Sequence, residues 1–266
     1  MYALLRFLPR KLLSRFVGVI VSIPLPSLVL LPILKSFISA NKIDSSEFQK
    51  PLEEFGSFGE FFVRDLKPES RPIGADIVSP VDGHLSSVQE AQDGTLVQAK
   101  SINYTVPELL GTTYFSAGEV YTLYLAPRDY HQVHVPIESR LIERVHIPGT
   151  LWPVNDWSIS NIPRVFCVNE RVVLRLEASF GEYYLVMVGA TNVGSMSLSF
   201  EDLRTNRQNQ QLSRRTFDNM SLAKGDKLGV FNLGSTVILL FPKGATYFLK
   251  EGGDLRMGES IGKERV

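Results

Sequence analysis

Ser235 follows Gly234 directly, at the start of an apolar run (TVILLF) that predicts a buried strand. A serine hydroxyl is a weak nucleophile until a base removes its proton. Once activated, it can attack the Gly234 carbonyl and turn the peptide into an ester. Elimination from Ser235 then cuts the chain and leaves a dehydroalanine, whose imine tautomer hydrolyses to a pyruvoyl group. Glycine leaves room for this geometry, although Gly-Ser before a strand is also an ordinary turn.

A base and an acid for this serine occur in two other segments. His131 and His134 lie in YHQVHVP, and Asp82 lies in SPVDG. A carboxylate beside a histidine fixes its tautomer and favours the imidazolium, so Asp82, His134 and Ser235 supply the parts of a charge-relay triad. Simpler interpretations stay open at this point. Asp82-Gly83 is a hairpin-turn signal, and either histidine can satisfy a buried hydrogen bond.

The spacing of His131 and His134 also raises a metal site, since residues three apart share a helix face. Val133, Val135 and Pro136 instead indicate a strand or an extended loop. No Cys or Glu cluster nearby completes a ligand set. We therefore predict that the chain holds no metal.

Charge is distributed unevenly over the 266 residues, although the net charge is zero. Residues 1–43 carry six basic residues and no acidic one, and the rest carries 22 basic against 28 acidic residues. The six are Arg6, Arg10, Lys11, Arg15, Lys35 and Lys42. A basic, apolar N-terminus on an acidic body indicates a membrane surface as partner and no nucleic acid. Cys167 is the only cysteine, so no internal disulfide can form.

The apolar N-terminus, residues 1–40, is predicted to associate with a membrane. Residues 16–34 carry no charge, which is long enough to suggest a span. Pro24, Pro26 and Pro32 interrupt helix hydrogen bonding there. We favour broken amphipathic helices in one leaflet, with their basic residues at anionic head groups. A kinked span, a buried core helix and a signal peptide are the alternatives.

The remaining chain predicts an α+β protein. Residues 41–75 form a helical connector with caps at Asp44 and Ser57. Residues 76–266 form a β-rich catalytic domain of short strands, which suggests two packed sheets as a distorted sandwich or barrel. These strands include TLVQAK, VYTLYLAP, RVVLRLEA, YYLVMVGATNVGSM and TVILLFP. RTNRQNQQLSRRTF, residues 204–217, reads as a polar, basic surface loop.

Several segments together resemble the phosphatidylserine decarboxylase family of the bacterial membrane-associated type. The motifs are LGST (233–236), SPVDG (79–83), YHQVHVP (130–136) and VGATNVGS (188–195). FGEFFVRDLKPESRPI (58–73) and PVNDWSISNIPRVFCVNERVV (153–173) are also similar. The resemblance covers essentially the whole chain, and four motifs in order are more specific than any one.

The resemblance implies a proenzyme that cuts itself between Gly234 and Ser235. Residues 1–234 would become the β chain and 235–266 the α chain, paired as a heterodimer or as a dimer of heterodimers. Asp82 and His134 would match the family's charge relay. Ser235 would become the covalent pyruvoyl cofactor, and His131 would lie near the substrate and assist decarboxylation.

The resemblance also implies a substrate and a location. The pyruvoyl carbonyl would form a Schiff base with the head-group amine of phosphatidylserine, accept the electrons released with CO₂ and yield phosphatidylethanolamine. The enzyme would lie at the cytoplasmic side of the inner cell membrane as a peripheral, monotopic protein. Arg64, Lys67, Arg71 and Arg128 are candidates for the phosphate, although each can be a solvated surface charge.

Three other functions are alternatives. A membrane-bound serine hydrolase would keep an intact chain with a reactive Ser235. A membrane-tethered β-sandwich binding module would do no chemistry. A pyruvoyl-dependent decarboxylase of a soluble amino acid would share the cleavage, but the basic, apolar N-terminus argues against it.

Overall fold

The computed structural model describes residues 9–99, 102–112, 115–191, 195–232 and 235–265. These residues form two longer helices near the N-terminus and four short helices further along the chain. They are α1 (Arg10–Ser22), α2 (Ser27–Asn41), α3 (Phe58–Phe62), α4 (Val106–Leu110), α5 (Asp156–Asn161) and α6 (Val165–Val168). Single 3-10 turns occur at Ser45–Glu47, Leu52–Glu54 and Pro68–Ser70. Over the described ranges, no helix is both long and apolar enough to cross a membrane.

The strands begin at residue 77 and continue to the end of the described chain. They are β1 (Ile77–Val78), β2 (Gly83–Glu90), β3 (Thr95–Ala99), β4 (Ile102–Thr105), β5 (Ala117–Leu125), β6 (Gln132–His134), β7 (Ser139–Ile147), β8 (Arg171–Ala178), β9 (Gly181–Gly189), β10 (Met196–Leu198), β11 (Ser213–Leu222), β12 (Lys227–Phe231), β13 (Ser235–Pro242), β14 (Thr246–Phe248), β15 (Gly253–Leu255) and β16 (Ser260–Glu264). All pairs between them are antiparallel.

One eight-stranded sheet dominates the body, in the order β11-β7-β8-β9-β13-β5-β2-β15. The smaller sheets are β1-β16-β14, β10-β12-β6 and β3-β4. Strand β13 lies inside the large sheet, between β9 and β5. Val237 and Leu239 pack into one core cluster, and Ile238 and Leu240 pack into the other. Because successive side chains point to opposite faces, a strand covered on both faces reads as an unbroken apolar run.

Prolines separate the two N-terminal helices. Helix α1 ends at Ser22, and α2 begins at Ser27 after Pro24 and Pro26. Pro32, expected to interrupt the helix as well, lies inside α2. A proline removes one helix hydrogen bond, and burial of Leu30 and Leu34 on the same helix offsets that loss.

The connector forms the surface on which α2 packs. Leu30 and Leu34 contact a cluster of edge-to-face aromatic rings at Phe48, Phe55 and Phe61. Such ring pairs add stability beyond the area they bury. The predicted helix caps are confirmed. The Asp44 side chain accepts from Ser46 N, and the Ser57 side chain accepts from Glu60 N.

The first helix also contacts the body through its basic residues. The Arg10 guanidinium lies 3.5 Å from the Trp152 ring centroid. Arg15 Nε donates to Asn206 O and Arg15 Nη2 to Arg207 O, each at 2.8 Å. These two arginines, expected at lipid head groups, therefore bind the protein itself.

The predicted α+β class is confirmed, with helices first and a β-rich body after them. The strand RVVLRLEA has the expected bounds as β8. The described strands form four sheets, none closed, in place of a two-sheet sandwich or barrel. The division follows from which strands pair at long range, since register shifts also occur within the undivided large sheet, as in the β13–β5 and β2–β5 pairs.

Candidate active site

Asp82 lies in the bend between β1 and β2, and its carboxylate is almost completely buried. Arg71 Nε donates to Oδ1 at 2.8 Å, and Arg71 Nη2 donates to Oδ2 at 2.5 Å. Met257 N also donates to Oδ1 at 2.8 Å. A fork of two parallel bonds from a guanidinium is a strong and directional way to fix a carboxylate. The position and the rotamer of Asp82 are therefore set by Arg71.

The Asp82-Gly83 pair is not a hairpin turn. Strand β1 before it pairs with β16, and β2 after it pairs with β5 and β15. At Gly83 an added Cβ would collide with the carbonyl oxygen of Tyr124 on β5. Glycine is thus required at this position, because the β2 backbone approaches the β5 backbone too closely for a side chain. Asp82 therefore lies at the end of the large sheet where β2 begins.

His134 is the last residue of strand β6. It lies beside the SPVDG segment, because His134 N donates to Pro80 O at 2.8 Å. Its Nδ1 lies 2.8 Å from Gly225 O, so Nδ1 carries the proton. Its Nε2 lies 3.1 Å from the hydroxyl of Tyr130, whose ring stacks on the imidazole. Burial lowers the pKa of His134, against a smaller raising effect of the Gly225 bond. The neutral ring therefore presents a lone pair at Nε2.

His131 is completely buried beside Phe62, with 4.2 Å between the ring centroids. Its Nδ1 donates to Asp129 O at 2.8 Å. Its Nε2 has no hydrogen-bond partner among the described residues. Burial lowers the pKa of His131 to about 3. Like His134, it is neutral with its lone pair on Nε2, and its low pKa makes that nitrogen a weak base.

Asp82 and His134 lie in one region without sharing a hydrogen bond. The carboxylate oxygens bond to Arg71 and Met257, whereas the ring nitrogens bond to Gly225 and Tyr130. The charge of Asp82 nevertheless raises the pKa of His134, as a small contribution behind burial. Asp82 thus acts on His134 through its electric field in this arrangement.

Strand β12, which precedes Ser235 in the chain, pairs with β6 and so lies beside the histidine segment. Phe231 N donates to His131 O at 2.9 Å. Strand β13 then begins at Ser235, whose backbone pairs with Leu125 on β5 and Gly189 on β9. The expected cleavage partner Gly234 lies outside the described residues, as does Leu233.

Both ends of the VGATNVGS segment contact residues next to the expected cleavage bond. Gly189 pairs with Ser235, and Ser195 O accepts from Asn232 N at 2.9 Å. Asn232 Nδ2 adds bonds to Ser195 O and Oγ, at 3.0 and 3.2 Å. VGATNVGS and YHQVHVP therefore both contact residues within a few positions of the expected cleavage bond, and SPVDG joins them through its bond to His134.

The structure adds residues that the sequence did not single out. Tyr130 occupies His134 Nε2, although it lies inside the quoted YHQVHVP segment. His146 Nε2 and Glu170 Oε1 form a buried hydrogen bond at 2.8 Å, and Glu170 O accepts from Gly189 N. Only the topology of β7 and β9 brings that pair near Ser235. In the described part of the chain, no group of three or more His, Cys, Asp or Glu side chains could hold a metal.

Comparison with known proteins defines the class. A family model described as phosphatidylserine decarboxylase matches residues 58–263. A phosphatidylserine decarboxylase proenzyme of Myxococcus xanthus is 39% identical over 269 residues, which is 97% of this chain and 96% of that protein. Proteins of the same description from Brevibacillus brevis and Psychromonas ingrahamii are each 38% identical, over 99% and 95% of this chain and 97% and 93% of their own lengths.

These matches identify a carboxy-lyase of phospholipid biosynthesis. The chain belongs to the phosphatidylserine decarboxylase family. Membership favours a decarboxylase over the serine hydrolase and over the binding module.

Proposed function

We propose that this chain converts phosphatidylserine to phosphatidylethanolamine after cutting its own backbone between Gly234 and Ser235. Its relatives are named proenzymes, which indicates a precursor that is processed. The observation that carries the proposal is the position of Ser235 shortly after β12. Phe231 N on β12 donates a hydrogen bond to His131 O. Four residues later, Ser235 begins β13, which pairs with β5 on one side and β9 on the other.

The cutting reaction uses groups of the chain and one water molecule. Ser235 Oγ loses its proton and attacks the carbonyl carbon of Gly234, and the peptide C–N bond breaks in favour of an ester. Loss of the Ser235 α proton expels Gly234 as a carboxylate and leaves a dehydroalanine. Its imine tautomer takes up water and releases ammonia. The products are a 1–234 chain and a 235–266 chain that begins with a pyruvoyl group.

His134 is the base that we assign to the first step. Burial lowers the pKa of His134, so the ring is neutral. Its Nε2 can accept the Ser235 proton once Ser235 Oγ replaces the Tyr130 hydroxyl as the partner of this nitrogen. Gly225 O holds the opposite nitrogen and fixes this tautomer. Asp82, fixed by Arg71, supplies negative charge that favours the imidazolium once it forms.

The residues around Ser235 fit the group that cleavage would create. Pairing of β13 with β5 and β9 would hold the new N-terminus after the cut. The neighbouring Thr236 is buried, and its Oγ1 has no partner among the described residues, so it can donate to a carbonyl oxygen. A pyruvoyl group there supplies a carbonyl that condenses with the head-group amine and accepts the electrons released with CO₂.

His131 is the residue that we assign to recognition of the substrate. Its Nε2 has no partner among the described residues, so it can accept a hydrogen bond from the head-group ammonium. The pKa of His131 is about 3, so the ring stays neutral at pH 7 and assists decarboxylation by holding the substrate rather than by exchanging protons with it.

The N-terminal helices would bring the enzyme to its lipid at the cytoplasmic face of the inner membrane. Helix α1 and the residue after it expose large apolar side chains at helical spacing. These are Leu12, Leu13, Phe16, Val19, Ile20 and Ile23. Leu28, Val29 and Ile33 continue the exposed apolar surface on α2. Peripheral insertion into one leaflet follows from this arrangement.

The two chains would remain together as a heterodimer after the cut. Strand β13 pairs with two strands of the 1–234 chain, β15 pairs with β2, and β16 pairs with β1. A further association of heterodimers stays a prediction.

The activity is tested directly with dispersed lipid. Purified wild-type protein in detergent should release CO₂ from phosphatidylserine and form phosphatidylethanolamine, as measured by lipid mass spectrometry. Ser235→Ala should form none. Decarboxylation of free serine at a comparable rate would instead support the soluble amino-acid decarboxylase.

A further inference from the structure

A cavity of about 890 Å³ lies between helix α1 and the segment 204–208. Gly18, Val19 and Ser22 of α1 line one side. Ser195 and Asn232 also line it, and Asn232 lies two residues before Gly234. The cavity therefore connects the apolar helix with the immediate neighbourhood of the cleavage bond.

The lining of this cavity is rich in positive charge. Arg15, Arg204 and Arg207 contribute to it, whereas its one acidic residue, Glu60, is paired with Lys50. Arg15 holds the segment in place through the backbone oxygens of residues 206 and 207. Across the described ranges, neither Arg204 nor Arg207 has an acidic partner. Guanidinium groups without a counter-charge favour an anion, and phosphate oxygens match their geometry.

Arg204 is tied to the cleavage segment by a short hydrogen-bond chain. Arg204 Nε donates to Ser195 Oγ at 3.0 Å, and the same oxygen accepts from Asn232 Nδ2 at 3.2 Å. This leaves the Nη groups of Arg204 available for a ligand. An anion bound there would lie close to the strand that starts at Ser235.

Asn206 provides a second, independent observation. It lines the cavity and is 6% exposed, and its Oδ1 has no partner among the described residues. Its backbone is held by a 3.1 Å bond from N to Glu170 Oε1. A fixed, unused acceptor beside two unpaired guanidinium groups suits a ligand that carries both a donor and an anion.

The other cavity near the site is a poor place for a phosphate. It has a volume of about 480 Å³ and includes Asp82 in its lining. Its acidic residues outnumber its basic ones. The acidic residues are Asp44, Glu47, Asp82, Asp129, Asp254 and Glu259, and the basic ones are Lys42, Arg64, Arg71, Arg128 and Arg256.

The four phosphate candidates from the sequence have other partners. Arg71 binds Asp82 and Glu47, and Arg128 contacts Asp129 and Asp254. Arg64 and Lys67 donate to backbone oxygens. The segment RTNRQ, expected to be an ordinary surface loop, therefore offers the better anion site.

We propose that the cavity between α1 and residues 204–208 binds the phosphodiester of a glycerophospholipid, with Arg204 as its principal ligand and Arg207 as the second. The acyl chains would leave along the exposed apolar face of α1, and the head group would point toward Ser235. This inference rests on the proposed function, because it is the serine amine that has to reach residue 235.

The test uses Arg204→Gln and Arg204→Lys, with Arg140→Gln as a matched control on an exposed arginine paired with Glu177. Intact mass spectrometry first checks cleavage, which should be complete in all three. The KM for detergent-dispersed phosphatidylserine should rise about tenfold or more in Arg204→Gln, as expected for a lost charge-assisted hydrogen bond. The rise should be smaller in Arg204→Lys and absent in Arg140→Gln. A KM within about twofold of wild type in fully cut Arg204→Gln, well inside the tenfold expected, overturns the proposal.

A binding measurement separates the lipid head group from free phosphate and does not need cleavage. Uncut Ser235→Ala protein is titrated with glycerophosphoserine, inorganic phosphate and free serine, with and without Arg204→Gln. Glycerophosphoserine should bind best and should lose affinity with Arg204→Gln. Equal, Arg204-dependent binding of inorganic phosphate would contradict a lipid head-group site, and Arg204-independent binding would remove Arg204 from it. Wild-type protein that stays uncut would refute the proposed function and leave this binding result readable.

Discussion

Arg71 and Asp82 form a buried, two-pronged ion pair, with Nε to Oδ1 at 2.8 Å and Nη2 to Oδ2 at 2.5 Å. Both side chains are nearly excluded from solvent. Glu47 extends the pair, since it contacts Arg71 at 3.1 Å and Arg256 at 2.8 Å. The connector is thereby joined to the residue proposed to assist His134.

Arg71→Ala should destabilise the protein strongly, because it leaves Asp82 buried without its cation. Breaking a buried pair in this way typically costs about 3–5 kcal/mol of the free energy of unfolding. Arg140→Ala, which breaks an exposed pair with Glu177, should cost only about 0–1 kcal/mol. Urea unfolding in the uncut Ser235→Ala background measures both. Equal costs for the two variants would show that the Asp82 pair is not a structural requirement.

His131 should make stability depend on pH. Its folded pKa is about 3 and its ordinary value is 6.5, so below 6.5 the unfolded state binds a proton that the folded state does not. The free energy of unfolding should therefore fall as pH falls, by about 1.4 kcal/mol per pH unit from this group. His131→Gln in the uncut background should flatten that slope between pH 6 and 4.5, a range chosen inside the roughly 3–6.5 window of linkage. An unchanged slope would place His131 in a more solvated site.

Tyr130→Phe should raise the pKa of His134. Burial raises the pKa of Tyr130, so its hydroxyl stays protonated and donates to the neutral His134 Nε2. Removing a donor that stabilises the neutral ring favours the imidazolium. Histidine NMR titration of the uncut Ser235→Ala protein, with the resonance assigned from His134→Gln, gives the direction. A pKa that is unchanged or lower would show that the 3.1 Å contact does not act on His134.

Phe16→Ser should weaken membrane binding. Phe16 is 64% exposed on α1, and burial of such a side chain contributes about 1.5–3 kcal/mol, or tenfold and more in affinity. Co-sedimentation with phosphatidylglycerol vesicles measures this. The control is Leu212→Ser, since Leu212 is 55% exposed outside the N-terminal helices. Equal losses in the two variants would contradict a membrane surface at α1.

The sequence was most informative where one local rule decided the structure. Apolar runs bounded by turn residues predicted β8 and β13, and the helix caps at Asp44 and Ser57 depended only on residues nearby. The division into four sheets follows from long-range strand pairing, which the periodicity of a single strand does not record.

For the candidate site as well, local motifs identify some residues and only the fold identifies the others. The motifs name Asp82, His131 and His134, and strand pairing brings all three toward the segment that contains Ser235. The partners of each side chain come from distant positions. Arg71, Gly225 and Met257 contact Asp82 or His134 only after folding. Arg204 reads as a solvated charge in the sequence because its cavity forms only when α1 packs against its loop.

Intact mass spectrometry of the purified protein distinguishes a chain that cuts itself from one that stays whole. Self-cleavage should give two chains, 1–234 and 235–266, with the shorter one blocked at its N-terminus by a carbonyl group that reacts with hydroxylamine. Ser235→Ala, His134→Ala and Asp82→Ala should each remain a single uncut chain. A single 29.8 kDa chain in active wild-type protein would contradict self-cleavage at Gly234–Ser235.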